Sequence, residues 1–383
     1  MCSRRLVICG ASDDPVNDWY RITNEAEIAS PAVLVYPDRI AENLRRMVAV
    51  AGDVRRLRPH VKTHKMPEVI RLCLAEGITR FKASTIAEAE MTAGAGGRDI
   101  LLAYPVVGPT ASRLVALVKR HPAVRFRAVV DSDRGLEDLE RAAAEAGVKV
   151  DALLDLNVGM NRTGVVPGPE AIRLAKRIAG SSSLSFAGIH AYDGHLTDPD
   201  HAALVAKVEA AFASVWKLRD ELAGLGLPAS LVVAGGTPTF PILAARGDVE
   251  LGAGTTVLWD FGQPITSPDL DFLNAAVLLT RVVSHPSPGR LCLDLGHKAV
   301  ASEMLHPRVR IFGLEDATFP MHSEEHLVVE TPRAEEFPVG TVLYALPRHV
   351  CPTVALHEHA IVVRDGCAAE RWHVAARTRR ITV

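Results

Sequence analysis

The stretch RPHVKTHKMPEV, residues 58–69, sets Arg58, His60, Lys62, His64 and Lys65 in one turn between an apolar run and an amphipathic segment. An amine crowded by other cations loses proton affinity and keeps a lone pair free, the condition for bonding to a carbonyl carbon. The competing reading is a solvated lysine paired to Glu68. NVGMNRTG (157–164) adds Asn157, Asn161 and Arg162, and HAYDGH (190–195) adds His190, Tyr192, Asp193 and His195. Two small-residue loops, GGTPT (235–239) and GAGTT (252–256), can wrap a phosphate with backbone N–H groups and hydroxyls. Neither is a Walker A loop or a GxGxxG fingerprint, so a plain tight turn competes. In LPRHVCPTV (346–354), His349 and Cys351 are two residues apart. On a strand they share a face and can grip one metal ion while leaving positions open for substrate. A buried cysteine beside a structural histidine competes here. LHEHA (356–360) has similar spacing but reads as a half-exposed strand.

These groups need elements to bring them together. PAVLVY (31–36) is strand-like, and Ile40, Leu44, Met47 and Val48 follow at helical spacing. VRRLRPHVKT (54–63) is the next candidate strand, then a helix with Pro at its start and Gly at its end. The grammar repeats through RFKAST, DILLAYPV, VRFRAVVDS, VDALLDLNV, LSFAGIHAY and SLVVAGGT. Eight such units predict a (β/α)₈ barrel of the TIM type over residues 31–264, with a doubly wound open sheet as the alternative. In a barrel the groups after each strand converge on one mouth, which would gather the residues above. From residue 265 to 383 short apolar runs alternate with Pro/Gly turns, predicting a β-rich domain that carries His349 and Cys351. Residues 1–30 lack periodicity and are expected to join it.

Composition narrows the function class. A net charge of −2 provides no basic face to neutralise phosphates, which excludes a nucleic-acid binder. The six cysteines are scattered, with no CxxC, as in reduced thiols. The N-terminal apolar run LVICGA is too short for a secretory signal, and no window is apolar enough to span a membrane. A cytoplasmic protein with no membrane partner is expected.

In order along the chain, RPHVKTHK, DLNVGMNRTG, HAYDGH, GGTPTF and HVCPTV resemble the D-threonine aldolase and D-serine dehydratase family. The resemblance runs from PAVLVYPDRI to HVCPTVAL, and HVKTHK and H-x-C are its most specific parts. It implies an alanine-racemase-like barrel that uses pyridoxal 5′-phosphate and a divalent metal, and that pairs as a homodimer. Lys62 would bond to the cofactor, with Arg162 and Tyr192 against its ring. Gly235, Gly236, Thr237, Gly254 and Thr255 would hold its phosphate. His349 and Cys351 would bind Mn²⁺, Zn²⁺ or Mg²⁺, the soft thiolate suiting Zn²⁺ or tolerating Mn²⁺. The chain departs from the family at Thr256, where relatives on the dehydratase side often carry tyrosine, and H-x-D occurs on the aldolase side.

The implied reaction is cleavage of a D-β-hydroxy-α-amino acid to glycine and an aldehyde. His195 would take the β-hydroxyl proton, or else support Tyr192 or Asp193. The alternative is β-elimination by a D-serine or D-3-hydroxyaspartate dehydratase, giving a keto acid and ammonia. An amino-acid racemase on this fold has no need of the metal pair. A non-catalytic cofactor carrier would be a single-domain barrel, without H-x-C.

Overall fold

A computed structural model describes residues 18–379, 382 and 383. Cys2, Cys9 and the rest of the N-terminal stretch through residue 17 lie outside the described residues. The described residues divide into two compact units, one of residues 41–257, 263–272, 375–379, 382 and 383, the other of residues 18–40, 258–262 and 273–374.

In chain order the strands begin with β1 (Ala32–Val35), followed by β2 (Arg80–Ala83), β3 (Asp99–Leu102), β4 (Arg125–Val130), β5 (Val150–Leu156), β6 (Leu184–Ala191), β7 (Leu231–Ala234) and β8 (Glu250–Leu251). Strands β2 to β8 form a parallel seven-stranded sheet in sequential order. Helices Pro67–Ala75, Ile86–Gly94, Pro109–Arg120, Asp133–Ala146, Pro169–Gly180 and His201–Gly224 alternate with them. Their ends follow local chemistry. Pro67, Pro109 and Pro169 sit at helix starts, where their missing N–H costs nothing. Thr85, Ser132 and Asp200 cap three others through side-chain oxygens.

The segment 54–63, expected as a full strand, is broken into two one-turn 3₁₀ helices, Val54–Arg56 and Val61–Thr63. Only residues 57–60 stay extended, and they close the barrel. Leu57 bridges Leu251 on one side and His60 bridges Lys82 on the other. Arg58 N donates to Leu251 O at 2.9 Å, and Lys82 N donates to Pro59 O at 3.0 Å. Pro59 has no N–H of its own, so a longer regular ladder is unavailable here.

Inside the barrel the side chains form layers. Leu101, Val129, Leu153 and Val233 make an apolar cluster. A buried ion network joins Arg58 to Asp99 (2.8 Å) and Glu250 (2.7 Å), and Arg127 to Asp99 (3.0 Å) and Asp151 (2.9 Å). Burial alone would raise the Asp99 carboxyl, but the Arg58 and Arg127 guanidinium groups outweigh it and hold it down at about 2. A depressed carboxyl stabilises the fold fully above its unfolded pKa of about 4, and that contribution disappears as pH falls through about 2. Truncation of fully buried Arg58 to Ala removes the cation shared by two carboxylates, leaving Asp99 to Arg127 and Glu250 to Arg80. Denaturant unfolding at neutral pH is expected to show a loss of about 2–3 kcal/mol.

The other unit is built on β9 (Ala276–Ser284), β10 (Arg290–Leu293), β11 (Val309–Ile311), β12 (Thr318–His322), β13 (Leu327–Glu330), β14 (Val342–Pro347), β15 (His359–Arg364) and β16 (Cys367–His373). With β1 they form a nine-stranded sheet. The expectation that PAVLVY opens the barrel is therefore corrected: β1 pairs antiparallel with β9 and parallel with β15. All four of its residues are buried. A continuous apolar run fits a central strand of either sheet, so periodicity alone cannot assign it. Tyr20, Leu34, Tyr36, Leu279 and Tyr344 pack together in this unit's core. No helix among the described residues is long and apolar enough to cross a membrane.

Candidate active site and metal-binding pair

The 3₁₀ turn Val61–Thr63 presents Lys62. His60 caps this turn, its Nδ1 accepting from Lys62 N at 3.3 Å. Burial, reinforced by Lys62, Lys82, His190 and Lys65, pushes the His60 imidazole well below its usual range. It is therefore neutral and able to accept at Nδ1. The cations expected to crowd Lys62 are committed elsewhere. Arg58 is locked to Asp99 and Glu250, and Lys65 pairs with buried Glu88, which also takes Ser84 N at 2.7 Å. Glu68, the suggested partner of Lys62, pairs with Arg71 at 3.4 Å.

Lys62 Nζ instead stands over the Tyr192 ring, 5.6 Å from its centroid. The Arg162 guanidinium lies 5.0 Å from the same centroid. A third cation, Lys82 Nζ, is also 5.0 Å away. In sequence Lys82 is simply part of a strand, RFKAST. The available signal was alternation: in register with Leu101, Lys82 shares the barrel-interior face.

Next to this cluster, Asp155 on β5 and His190 on β6 are register partners, with His190 Nδ1 2.6 Å from Asp155 Oδ1. His190 Nε2 is buried without a partner, as is Lys82 Nζ. A crevice lined by Asp155, Asn157, Met160, Arg162, Thr163 and Tyr192 opens beside them. Asn157 braces that loop through Oδ1, which accepts from Gly159 N (3.0 Å) and Asn161 N (3.1 Å).

The glycine loops are shaped by close approach. A Cβ on Gly194 would lie 2.2 Å from the Tyr192 hydroxyl, one on Gly252 2.5 Å from Lys82 Nζ, and one on Gly254 2.7 Å from His60 O. Asp193 is fully buried and organises the GGTPT loop, accepting from Gly236 N and Thr239 Oγ1, both at 2.6 Å. The Gly236 N–H, expected to face a phosphate, is thereby occupied. Burial raises the Asp193 carboxyl, against hydrogen bonds from Thr239 and Gly236 that lower it. Gly235 and Thr237 are buried in the same loop. Thr255 opens a 3₁₀ turn, Thr255–Val257, whose next residue, Thr256, turns its hydroxyl inward to Met47 Sδ at 3.1 Å. His195 is exposed, and a Cβ on Gly159 would sit 3.1 Å from its Nε2.

In the other unit, the strand expected for H-x-C is corrected. His349 is the extended N-cap of a short helix, Val350–Leu356, and Cys351 lies in its first turn. Pro352 has no N–H to give a ladder and suits a first helical turn. The two side chains nevertheless meet. Burial disfavours the His349 imidazolium, but hydrogen bonding and charge from Cys351, then Glu303 and Asp260, outweigh it and push His349 up to about 9. His349 Nδ1 is 2.6 Å from Glu303 Oε1. Asp260 accepts from Val350 N at 2.9 Å and Gly262 N at 3.1 Å, fixing the turn. Sequence reading missed Glu303 and Asp260, which lie 46 and 89 positions before His349 and belong to no motif. Among the described residues, Glu358, His359 and His373 are a further trio of metal-capable side chains, with donor atoms within 4.8 Å.

These residues fit the groups that the sequence resemblance implies. Three cations gather around one aromatic ring and two polar atoms are buried unpaired beside it, which suits a flat anionic cofactor. A thiol and an imidazole held by a carboxylate suit a soft divalent ion, since a carboxylate on one ring nitrogen leaves the other to ligate.

Residues 35–251 match the alanine racemase N-terminal domain family, and residues 275–363 match the putative serine dehydratase domain. The chain is 33% identical to D-threonine aldolase from Arthrobacter sp, over 92% of this chain and 93% of that one. The chain belongs to the D-threonine aldolase and D-serine dehydratase family. Another member of that family, 3-hydroxy-D-aspartate aldolase from Paracoccus denitrificans, is 30% identical over 92% of this chain and 93% of its own. The crystal structure of D-threonine aldolase from Filomicrobium marinum superposes with a TM-score of 0.85 at 29% identity, covering 94% of this chain and 98% of that one. The family's alanine-racemase-like fold, a barrel sheet with a separate mostly stranded sheet, is the one described above.

Proposed function

We propose that this chain is a pyridoxal phosphate- and divalent-metal-dependent lyase of D-β-hydroxy-α-amino acids, working in the D-threonine aldolase manner. The observation that carries the reading is Lys62 and Arg162 gathered on the Tyr192 ring, in a chain similar to D-threonine aldolase along nearly its whole length. Lys62 would bond to the cofactor, with Tyr192 and Arg162 against its ring and Gly235, Thr237, Gly254 and Thr255 around its phosphate. Gly236 contributes to the loop's shape, its N–H being held by Asp193. Bound there, the cofactor supplies an electron sink for charge developed at the substrate Cα. His349 and Cys351 would hold a divalent ion, which supplies Lewis acidity toward the substrate's β-oxygen.

In this reading His195 takes the β-hydroxyl proton as the Cα–Cβ bond breaks. The β-carbon leaves as an aldehyde, and the electron pair left on Cα takes a proton to give glycine. A β-elimination is the second reading, and Cys351 favours it because H-x-D is met on the aldolase side. There Lys62 removes the Cα proton and the β-hydroxyl departs as water, ending in a keto acid and ammonia. We read the working form as a cytoplasmic homodimer.

Product analysis separates the two. The loaded protein is expected to convert D-threonine to glycine and acetaldehyde, and to act on D-3-hydroxyaspartate in the same way. Keto acid and ammonia from D-serine or D-3-hydroxyaspartate would establish the dehydratase instead. Turnover of L-isomers alone would remove the stereochemical assignment.

A further inference from the structure

Lys82 takes no part in the reading above, yet it is a lysine enclosed in the barrel. It is 1% exposed. Its backbone N–H is spent on Pro59 O, and its stem shares the interior face with Leu101. Its amine has no hydrogen-bond partner. Burying an ammonium group without a partner is costly, so such a group persists only where something compensates it. The amine is aimed at the proposed cofactor site, 5.0 Å from the ring that also faces Lys62 and Arg162. The second glycine loop also yields to it, since Gly252 is the one residue type that leaves room for Nζ.

We propose that Lys82 is a positioning residue of the cofactor site, donating a hydrogen bond to bound pyridoxal phosphate and setting the protonation equilibrium of the lysine–cofactor bond at Lys62. This inference rests on the pyridoxal phosphate reading of Lys62. The groups facing the amine are His60 and Lys62 from the 57–63 segment, Asp155 from β5, Arg162 from the following loop, and Tyr192 and Asp193 from the turn after β6, with His190 held on Asp155. Burial, with Lys62 and Arg162 beside it, draws the Lys82 amine down to about 7, against Asp193 and Asp155. Its charge is thus adjustable over the working pH range. A positive charge there disfavours a proton on the neighbouring Lys62 nitrogen, by simple repulsion in a poorly solvated site. Removing it has the opposite effect.

The test is spectroscopic, with cofactor bound. Lys82→Met is expected to keep the visible cofactor band, to raise the pH midpoint of that band's titration by about one unit or more, and to weaken cofactor affinity about tenfold. Lys82→Arg, which keeps a cation, is expected to hold the midpoint at or below that of the parent. A midpoint and affinity unchanged in Lys82→Met overturn the proposal. If Lys82→Met does not fold, Lys82→Gln carries the same readout. Lys62→Ala, run in parallel, separates the two readings: absence of a band in the parent protein sinks the pyridoxal phosphate reading itself. A band that survives Lys62→Ala but vanishes in Lys82→Met moves the covalent bond to Lys82 and overturns the positioning role.

Discussion

Lys62→Ala is expected to abolish the visible absorption band of bound pyridoxal phosphate and to lower turnover about 10³-fold or more. Of the basic groups in RPHVKTHK, Arg58 is consumed by a buried ion network and Lys65 by Glu88. His60 and His64 are buried acceptors for backbone N–H groups, and burial takes His64 down to about 3. Lys62 alone is delivered to the Tyr192 face, on a turn pinned at 57–60 between β8 and β2. Loss of that amine removes both the covalent anchor and a proton carrier, whereas the ion pairs that hold the turn stay in place. Unfolding stability is therefore expected to change little. A full-strength band in Lys62→Ala would remove Lys62 from the chemistry.

Removal of divalent metal by a chelator is expected to cut turnover by at least about 10²-fold while leaving the visible band intact, with recovery on adding Zn²⁺ or Mn²⁺. The two effects separate because the ligands and the cofactor residues belong to different units of the chain. His349→Ala is expected to behave like the chelated protein and to lose bound metal on elemental analysis. The pair is built to hold a cation: Cys351, Glu303 and Asp260 all stabilise positive charge at the His349 ring. A metal ion meets that demand in place of a proton, so metal binding should weaken as pH falls and the proton competes. Undiminished activity in metal-free protein would take His349 and Cys351 out of the mechanism. Metal retained by His349→Ala would point instead to the surface trio of Glu358, His359 and His373.

The sequence by itself determined the types and order of the reactive groups. Lys62 was marked by cations crowded into a turn, and the loops by runs of Gly and Thr. Repeated switching between strand and helix periods gave the barrel, because apolar spacing and helix caps are local properties. Other features had no local signature. The apolar run Ala32–Val35 fits the centre of either sheet, and only its partners Ala276–Leu279 and Ala360–Val362 assign it. H-x-C spacing suggested a strand, but Pro352 turned it into a helix start. The cation beside Lys62 was expected from its own turn and came from β2 instead. Tertiary structure decided that Lys82 reaches the Tyr192 ring, that Asp193 holds Gly236, and that Glu303 meets His349. Each joins residues between 43 and 110 positions apart in the chain or along strands that meet only when the barrel closes. Such contacts arise from closing and packing the sheets, which fix distances that composition and spacing leave free.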